Sequence, residues 1–168
     1  MKAARDIMML ATGFVVVLID QYAKFLIRRN LLFGESQLMI PGFFNLSHLR
    51  NTGAVWGILR QQNAWLVLLS LLMLILIAIF HRRLTGDRLI YSFAIGCMVG
   101  GIVGNLIDRI KQGWVTDFLD FHWSASHWPC FNIADSAICV GVAIYIVSSL
   151  LAENGFDHGG ENQKCTDP

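Results

Sequence analysis

The chain has 168 residues, of which 55% are apolar and 15% charged, with a net charge of +1. So low a charged fraction, against ~25% in soluble domains, argues against an ordinary water-soluble enzyme, and the near-neutral balance argues against a nucleic-acid-binding field. The length suits one domain, and the apolar residues gather in long blocks, the pattern of a polytopic membrane protein.

A helix needs about 20 apolar residues to cross the hydrocarbon layer. Four segments meet or approach that length. The first, 7–27, reads "IMMLATGFVVVLIDQYAKFLI" and carries Asp20 and Lys24. Its basic start resembles a secretory leader, but its apolar region is too long and ends in "DQYAK" instead of a small-residue cleavage site, so a retained span is expected. The second, 64–80, holds no charge. The third, 89–107, ends in "GGIVGNLI", and the fourth, 133–151, begins "IADSAI".

Between these runs lie two polar stretches and beyond them a tail. Residues 28–63 include "FFNLSHLRNTGAVWGIL", rich in aromatic and β-branched residues, which predicts a small sheet. Residues 108–132 carry Trp114, Trp123 and Trp128, as an interfacial loop or helix would. The part from 111 to 128 is expected to close over a site and limit water. The expected fold is thus an all-α polytopic bundle of four transmembrane helices, over 1–152, with a small sheet and a loop or helix outside the bilayer. The polar tail 153–168 is expected to be disordered. Cationic residues lie on both sides: Lys2, Arg5, Arg82, Arg83 and Arg88 against Lys24, Arg28, Arg29, Arg50, Arg60, Arg109 and Lys111. The count does not decide, but the first span and the short basic loop favour both termini in the cytoplasm.

With alternating spans, the polar residues fall at one end of the bundle. Asp20 and Lys24 mark the exit of span one, Asn51 the approach to span two, Asn105, Asp108 and Arg109 the exit of span three, and Asn132 and Asp135 the start of span four. Asp20 lies about 20 Å along its helix, below the far surface. Ionisable groups at such depth are costly unless they face a bundle interior or water. Asp20 and Lys24 are i,i+4 neighbours, as are Asn105 and Arg109. Gly96, Gly100 and Gly104 repeat every four residues, a small-residue seam for close helix contact.

Two carboxylates held together share a proton, because both cannot ionise comfortably. Such a pair can take a proton from water and give one to a carbonyl oxygen or leaving amine, which hydrolyses a peptide without a covalent intermediate. Asp117, on the segment returning to the membrane, and Asp135 are the candidate pair. Simpler roles compete for each neighbour. Asp20–Lys24 could be an ordinary ion pair, Asp108–Arg109 a snorkelling helix end, Asp120 a solvated loop acid, and Asn51 in "NTG" a turn residue. Asn132 could cap span four, with Asp135 a favourable acid in its first turn. The cysteines form no C-x-x-C pair and read as small apolar residues. His122 and His127 lack metal-ligand spacing, so no metal is expected. A small proton- or ion-conducting transporter is the alternative reading, since acids inside a membrane can also carry ions.

Five segments occur in order: "DQYAK", "RNTGAVWG", "GGIVGNLIDR", "VTDFLDF" and "FNIADSAI". Together they resemble the bacterial lipoprotein signal peptidases, or signal peptidase II family, over nearly the whole chain. The resemblance implies a four-helix inner-membrane aspartic protease that removes the signal peptide of a prolipoprotein on the N-terminal side of a diacylglyceryl-modified cysteine. It implies Asp117 and Asp135 as the catalytic dyad, and Asp20, Asn51, Asn105, Arg109 and Asn132 as polar active-site positions. Lys24, Gly53, Asp108 and Ala134 match motif positions of a structural kind. The expected partners are such substrates, membrane lipids and cyclic-peptide inhibitors of the globomycin type, with no metal or nucleotide cofactor.

Overall fold

The structure, a computed structural model, describes residues 2–53, 61–123 and 126–157. Four long helices account for most of it: α1 (Lys2–Asn30), α2 (Asn63–Thr85), α3 (Leu89–Gln112) and α4 (Ile133–Asp157). All four are long and apolar enough to cross a membrane. Each helix runs several residues beyond its apolar run, α1 at both ends and α2, α3 and α4 at the C-terminal end, because backbone hydrogen bonding does not stop where the grease stops. The tail expected from residue 153 begins inside α4, and residues 158–168 lie outside the described residues, as do residues 54–60, which hold half of "RNTGAVWG".

Helix α3 is the centre of the bundle, packed by α1, α2 and α4. Its glycines permit this. A Cβ on Gly96 would lie 2.6 Å from the Met9 carbonyl oxygen, and one on Gly100 2.7 Å from that of Gly13, so the expected seam closes on α1. Gly101, one step round the helix, meets the backbone of Ala134 in α4. Ala134 is itself fully buried, with its Cβ against Gly104, so a larger side chain has no room there. The outward faces of α1, α2 and α4 show Leu, Ile, Val and Phe to the surroundings, as lipid requires.

A four-stranded antiparallel sheet covers one end of the bundle, in the order β1 (Ser36–Ile40), β2 (Phe44–Asn51), β3 (Val115–Trp123) and β4 (Ser126–His127). The first hairpin lies in the stretch where a sheet is expected. The second pair corrects an expectation. Segment 108–132 is not a loop or helix with a closing lid over 111–128: its first residues complete α3, and β3 pairs with β2 from Asn51↔Val115 to Phe44↔Phe121. From Val115 to Phe121 the chain is part of the sheet, paired with β2, and not a free loop. Gly113, with φ of +82°, ends α3 in the left-handed conformation that glycine adopts without strain, and turns the chain into β3.

Ile27, Leu31 and Phe118 form a buried cluster with Leu46, Leu119 and Ile133 around it, which seats the sheet on α1 and α4. At the opposite end Arg5 pairs with Asp87 at 2.7 Å, and the hydroxyls of Tyr91 and Tyr145 donate to the Ser148 and Leu84 carbonyls at 3.1 and 3.3 Å. Gly96→Ala should force α1 away from α3 at a cost of about 1–3 kcal/mol. Thermal unfolding of the detergent-solubilised protein reads this as a lower midpoint; an unchanged midpoint would contradict the contact.

Candidate active site

The site forms where β3 and the start of α4 meet. Leu119 and Phe131 exchange backbone hydrogen bonds of 2.8 and 3.2 Å, so the chain leaving the sheet is pinned beside β3 before it enters α4. Asn132, the next residue, lies within reach of Asp117. A bulge in β2 sets two residues, Ser47 and His48, against Phe118, immediately beside the Leu49↔Asp117 pair. Bulges of this kind re-aim side chains and recur next to active sites.

Asn132 caps α4 in a reciprocal box. Its Oδ1 accepts from the Asp135 N–H at 3.0 Å, while its own N–H donates to Asp135 Oδ2 at 3.3 Å. The cap therefore engages Asp135 as the sequence suggests. It also does more: Asn132 Nδ2 donates to Asp117 Oδ1 at 2.7 Å. One residue thus holds both candidate carboxylates. Asn51 Nδ2 donates to Asp117 Oδ2 at 2.9 Å, and Asn105 Nδ2 donates to Asp135 Oδ1 at 2.8 Å.

Each of these amides is oriented by a donor on its oxygen. The Gly53 N–H fixes Asn51 at 2.9 Å, which is also the turn role expected of "NTG". The Asp135 N–H fixes Asn132. Lys24 Nζ fixes Asn105 at 2.9 Å. An amide has one acceptor end and one donor end. With the oxygens taken by donors, the NH2 ends point at the carboxylates.

Lys24 and Asp20 are fully buried and paired at 2.9 Å, so the i,i+4 pair exists, but in the interior. Lys24 also meets Asp108 at 3.2 Å, so its three donors serve Asp20, Asp108 and Asn105. Asp108 is not a snorkelling helix end: it is buried, and its Oδ2 accepts the Thr116 N–H of β3 at 3.1 Å. Asp20 Oδ1 accepts the Ala134 N–H of α4 at 2.9 Å, a carboxylate at a helix N-terminus. Asp120 is not a solvated loop acid either; it lies in β3 and accepts from Asn45 Nδ2 at 3.2 Å. Arg109 donates to the Gly53 carbonyl at 3.3 Å. Sequence reasoning missed Gln21, which donates to Asp20, Asp108 and the Gly104 carbonyl, and Thr116, which receives Arg28 and Gln112 on its hydroxyl. Both sit inside the quoted motifs, but neither carries a charge that would draw attention.

A cavity of about 880 Å³ opens beside the carboxylates. Its polar end holds Asn51, Asn105, Arg109, Asp117 and Asp135; its walls are Leu66, Leu69 and Met73 of α2, Ile102 of α3, and Ile138 and Cys139 of α4. Burial, then the nearby charge of Asp135, raises the pKa of Asp117 to about 7, against the opposing hydrogen bonds from Asn51 and Asn132. Cys130, also on the cavity, is pushed far up by burial and by Asp117 and Asp120. That disfavours a thiolate there.

A family model described as signal peptidase (SPase) II matches residues 12–151. The chain belongs to the signal peptidase II family. Its relatives include a lipoprotein signal peptidase of Syntrophotalea carbinolica, 40% identical over 88% of this chain and 94% of that protein. Another, from Bacillus pumilus, is 38% identical over 83% and 90%. A solved bacterial membrane enzyme structure (in meso method, 2.3 Å resolution) superposes with a TM-score of 0.79 at 31% identity, covering 95% of this chain and 94% of that one. A second, at 1.9 Å resolution, gives 0.76 at 34% identity, covering 84% and 92%. As a signal peptidase II the chain is a multi-pass membrane aspartic peptidase, and neither family nor site supports the transporter alternative.

Lys24→Met would leave the fully buried Asp20 with no cation beside it and Asp108 with only the longer contact to Arg28. The expected loss of stability is about 3–5 kcal/mol, measured as a lower unfolding midpoint in detergent. A midpoint equal to that of the unaltered protein would refute the burial of this network.

Proposed function

We propose that Asp117 and Asp135 are the dyad with which this signal peptidase II removes the signal peptide of a prolipoprotein, cutting before a cysteine that carries diacylglycerol. The observation that carries this reading is Asn132, which donates from its side chain to Asp117 and from its backbone to Asp135. Two acids 18 positions apart are thereby held against one cavity.

The chemistry follows from a shared proton. The ionised carboxyl takes a proton from a water as that water attacks the scissile carbonyl, and the protonated one donates to the carbonyl oxygen. Collapse of the tetrahedral carbon then breaks the C–N bond, and the leaving amine takes the proton held by the dyad. Asn51, Asn105 and Asn132 keep the carboxyls aimed throughout, at no cost in reorganisation. Arg109, on the cavity wall, is suited to hold a carbonyl of the substrate backbone.

The apolar walls between α2 and α4 suit a signal helix and acyl chains arriving sideways from lipid. Globomycin-type cyclic peptides are expected to occupy the same cavity. We place this end of the bundle at the extracytoplasmic face of the bacterial inner membrane, with both termini in the cytoplasm, on the basic residues of the first span and the short loop.

Replacing either acid by Asn keeps its shape and removes proton transfer. Asp117→Asn and Asp135→Asn should each lower cleavage of a diacylglyceryl-modified precursor by at least about 10³-fold; folded variants with full cleavage would end the dyad assignment. The pH profile supplies a second test. Because the pKa of Asp117 is raised, its carboxyl keeps the shared proton below about pH 7 and loses it above. The acid needed by the carbonyl oxygen then disappears, so kcat/KM should decline about tenfold per pH unit on the alkaline side. A profile flat from pH 6 to 9 would contradict a shared proton.

A further inference from the structure

Beyond the bundle's end, large apolar side chains stand unusually exposed. Leu32 is 79% exposed, Phe33 58% and Leu38 61%, and Met39 and Ile40 complete an edge strand open along its length. They lie just after α1 leaves the hydrocarbon span, at the level where headgroups and acyl chains meet. The same region carries an arginine held in an uncommon way. The Arg50 guanidinium carbon lies 4.3 Å from the Phe33 ring centroid and 4.5 Å from that of Trp114. Two aromatic rings against the guanidinium restrain it while leaving its in-plane N–H donors for other partners. Among the described residues Arg50 has no hydrogen-bond or ion-pair partner, and it is exposed.

A second cation stands beside it. Arg50 pairs across the sheet with Thr116, whose hydroxyl accepts from Arg28 Nη1 at 3.1 Å. Arg28 is 3.6 Å from Asp108, but Lys24 already meets that carboxylate more closely, at 3.2 Å. Lys24, Arg28, Arg29 and Arg50 stand against Asp20, Asp108 and Glu35, so positive charge is in excess by one. Side chains alternate along β2, so Arg50 and Asn51 leave the strand in opposite directions, although Arg50 also borders the cavity that holds Asp117.

We propose that Arg50, stacked between Phe33 and Trp114 with Arg28 beside it, binds the phosphate of an anionic phospholipid headgroup. A planar fork with free edges matches two phosphate oxygens. The excess charge selects a lipid of net negative charge, and the apolar edge strand receives its acyl chains. Bound there, at the rim of the cavity, the lipid grips β2 and β3 and sets the depth of Asp117 relative to the bilayer. The site rests on the membrane-spanning fold alone, so loss of the dyad assignment would leave it standing.

The test uses the full chain in bilayers of phosphatidylcholine containing phosphatidylglycerol, with spin-labelled lipids reporting which headgroup the protein retains. The unaltered protein should prefer phosphatidylglycerol. Arg50→Gln should reduce that preference about fivefold, and Arg50→Lys, which keeps the charge but loses the flat fork, by less. Arg83→Gln, an exposed cation at the other end of the bundle, should have a smaller effect than Arg50→Gln. Undiminished preference in Arg50→Gln, or an equal loss in Arg83→Gln, would overturn the proposal.

Discussion

Lys24 carries an ammonium group to a place that is fully buried, and the arrangement around it follows from that fact. A buried cation must be matched by acceptors or it will not stay charged. Asp20 supplies one from its own helix, while Asp108 and Asn105 supply the others from α3. The carboxylates then need partners of their own: Asp20 takes the N–H of Ala134 at the start of α4, and Asp108 takes that of Thr116 in β3. A single ammonium thus ties α1, α3, α4 and the sheet to one point. Its third contact turns the Asn105 amide so that its donor end meets Asp135.

The same logic separates two kinds of acid within a few residues. Asp20 and Asp108 are held by a cation and by backbone donors. Asp117 is held by neutral amides, in a buried place with another acid nearby, and burial wins over those hydrogen bonds. Asp20 and Asp108 hold the structure together by tying helices and sheet to Lys24. Asp117 is left able to take up and give back a proton near neutrality. The difference lies in what the partners are, not in depth, since all three are buried.

Much of this is legible in the residues before any coordinates. Spans can be read from block length, the polar end from alternation, and the Gly96–Gly100 seam from its spacing. The i,i+4 relation of Asp20 and Lys24 and the i,i+3 relation of Asn132 and Asp135 both persist in the folded chain. Strand β3 was harder to see. Val115 to Phe118 are buried on both faces, so the alternation that marks a half-exposed strand is missing, and two aspartates lend it the look of a loop. Gln21 and Thr116 were not legible, because their importance lies in partners on other helices. No local pattern announces that the Gly104 carbonyl will stand opposite Gln21. Likewise "VTD" does not disclose that its threonine hydroxyl will receive two donors from the ends of α1 and α3.

The gap between α2 and α4 has a kinetic meaning. Leu69, Met73 and Cys139 line it and are open to the surroundings, which for these helices means acyl chains. Whatever enters by that route diffuses within a sheet of lipid and never crosses bulk water. Its supply is then counted as molecules per area of bilayer. Adding empty vesicles that exchange and share the substrate would slow turnover even when the amount per litre is unchanged, whereas concentrating the aqueous phase would do nothing.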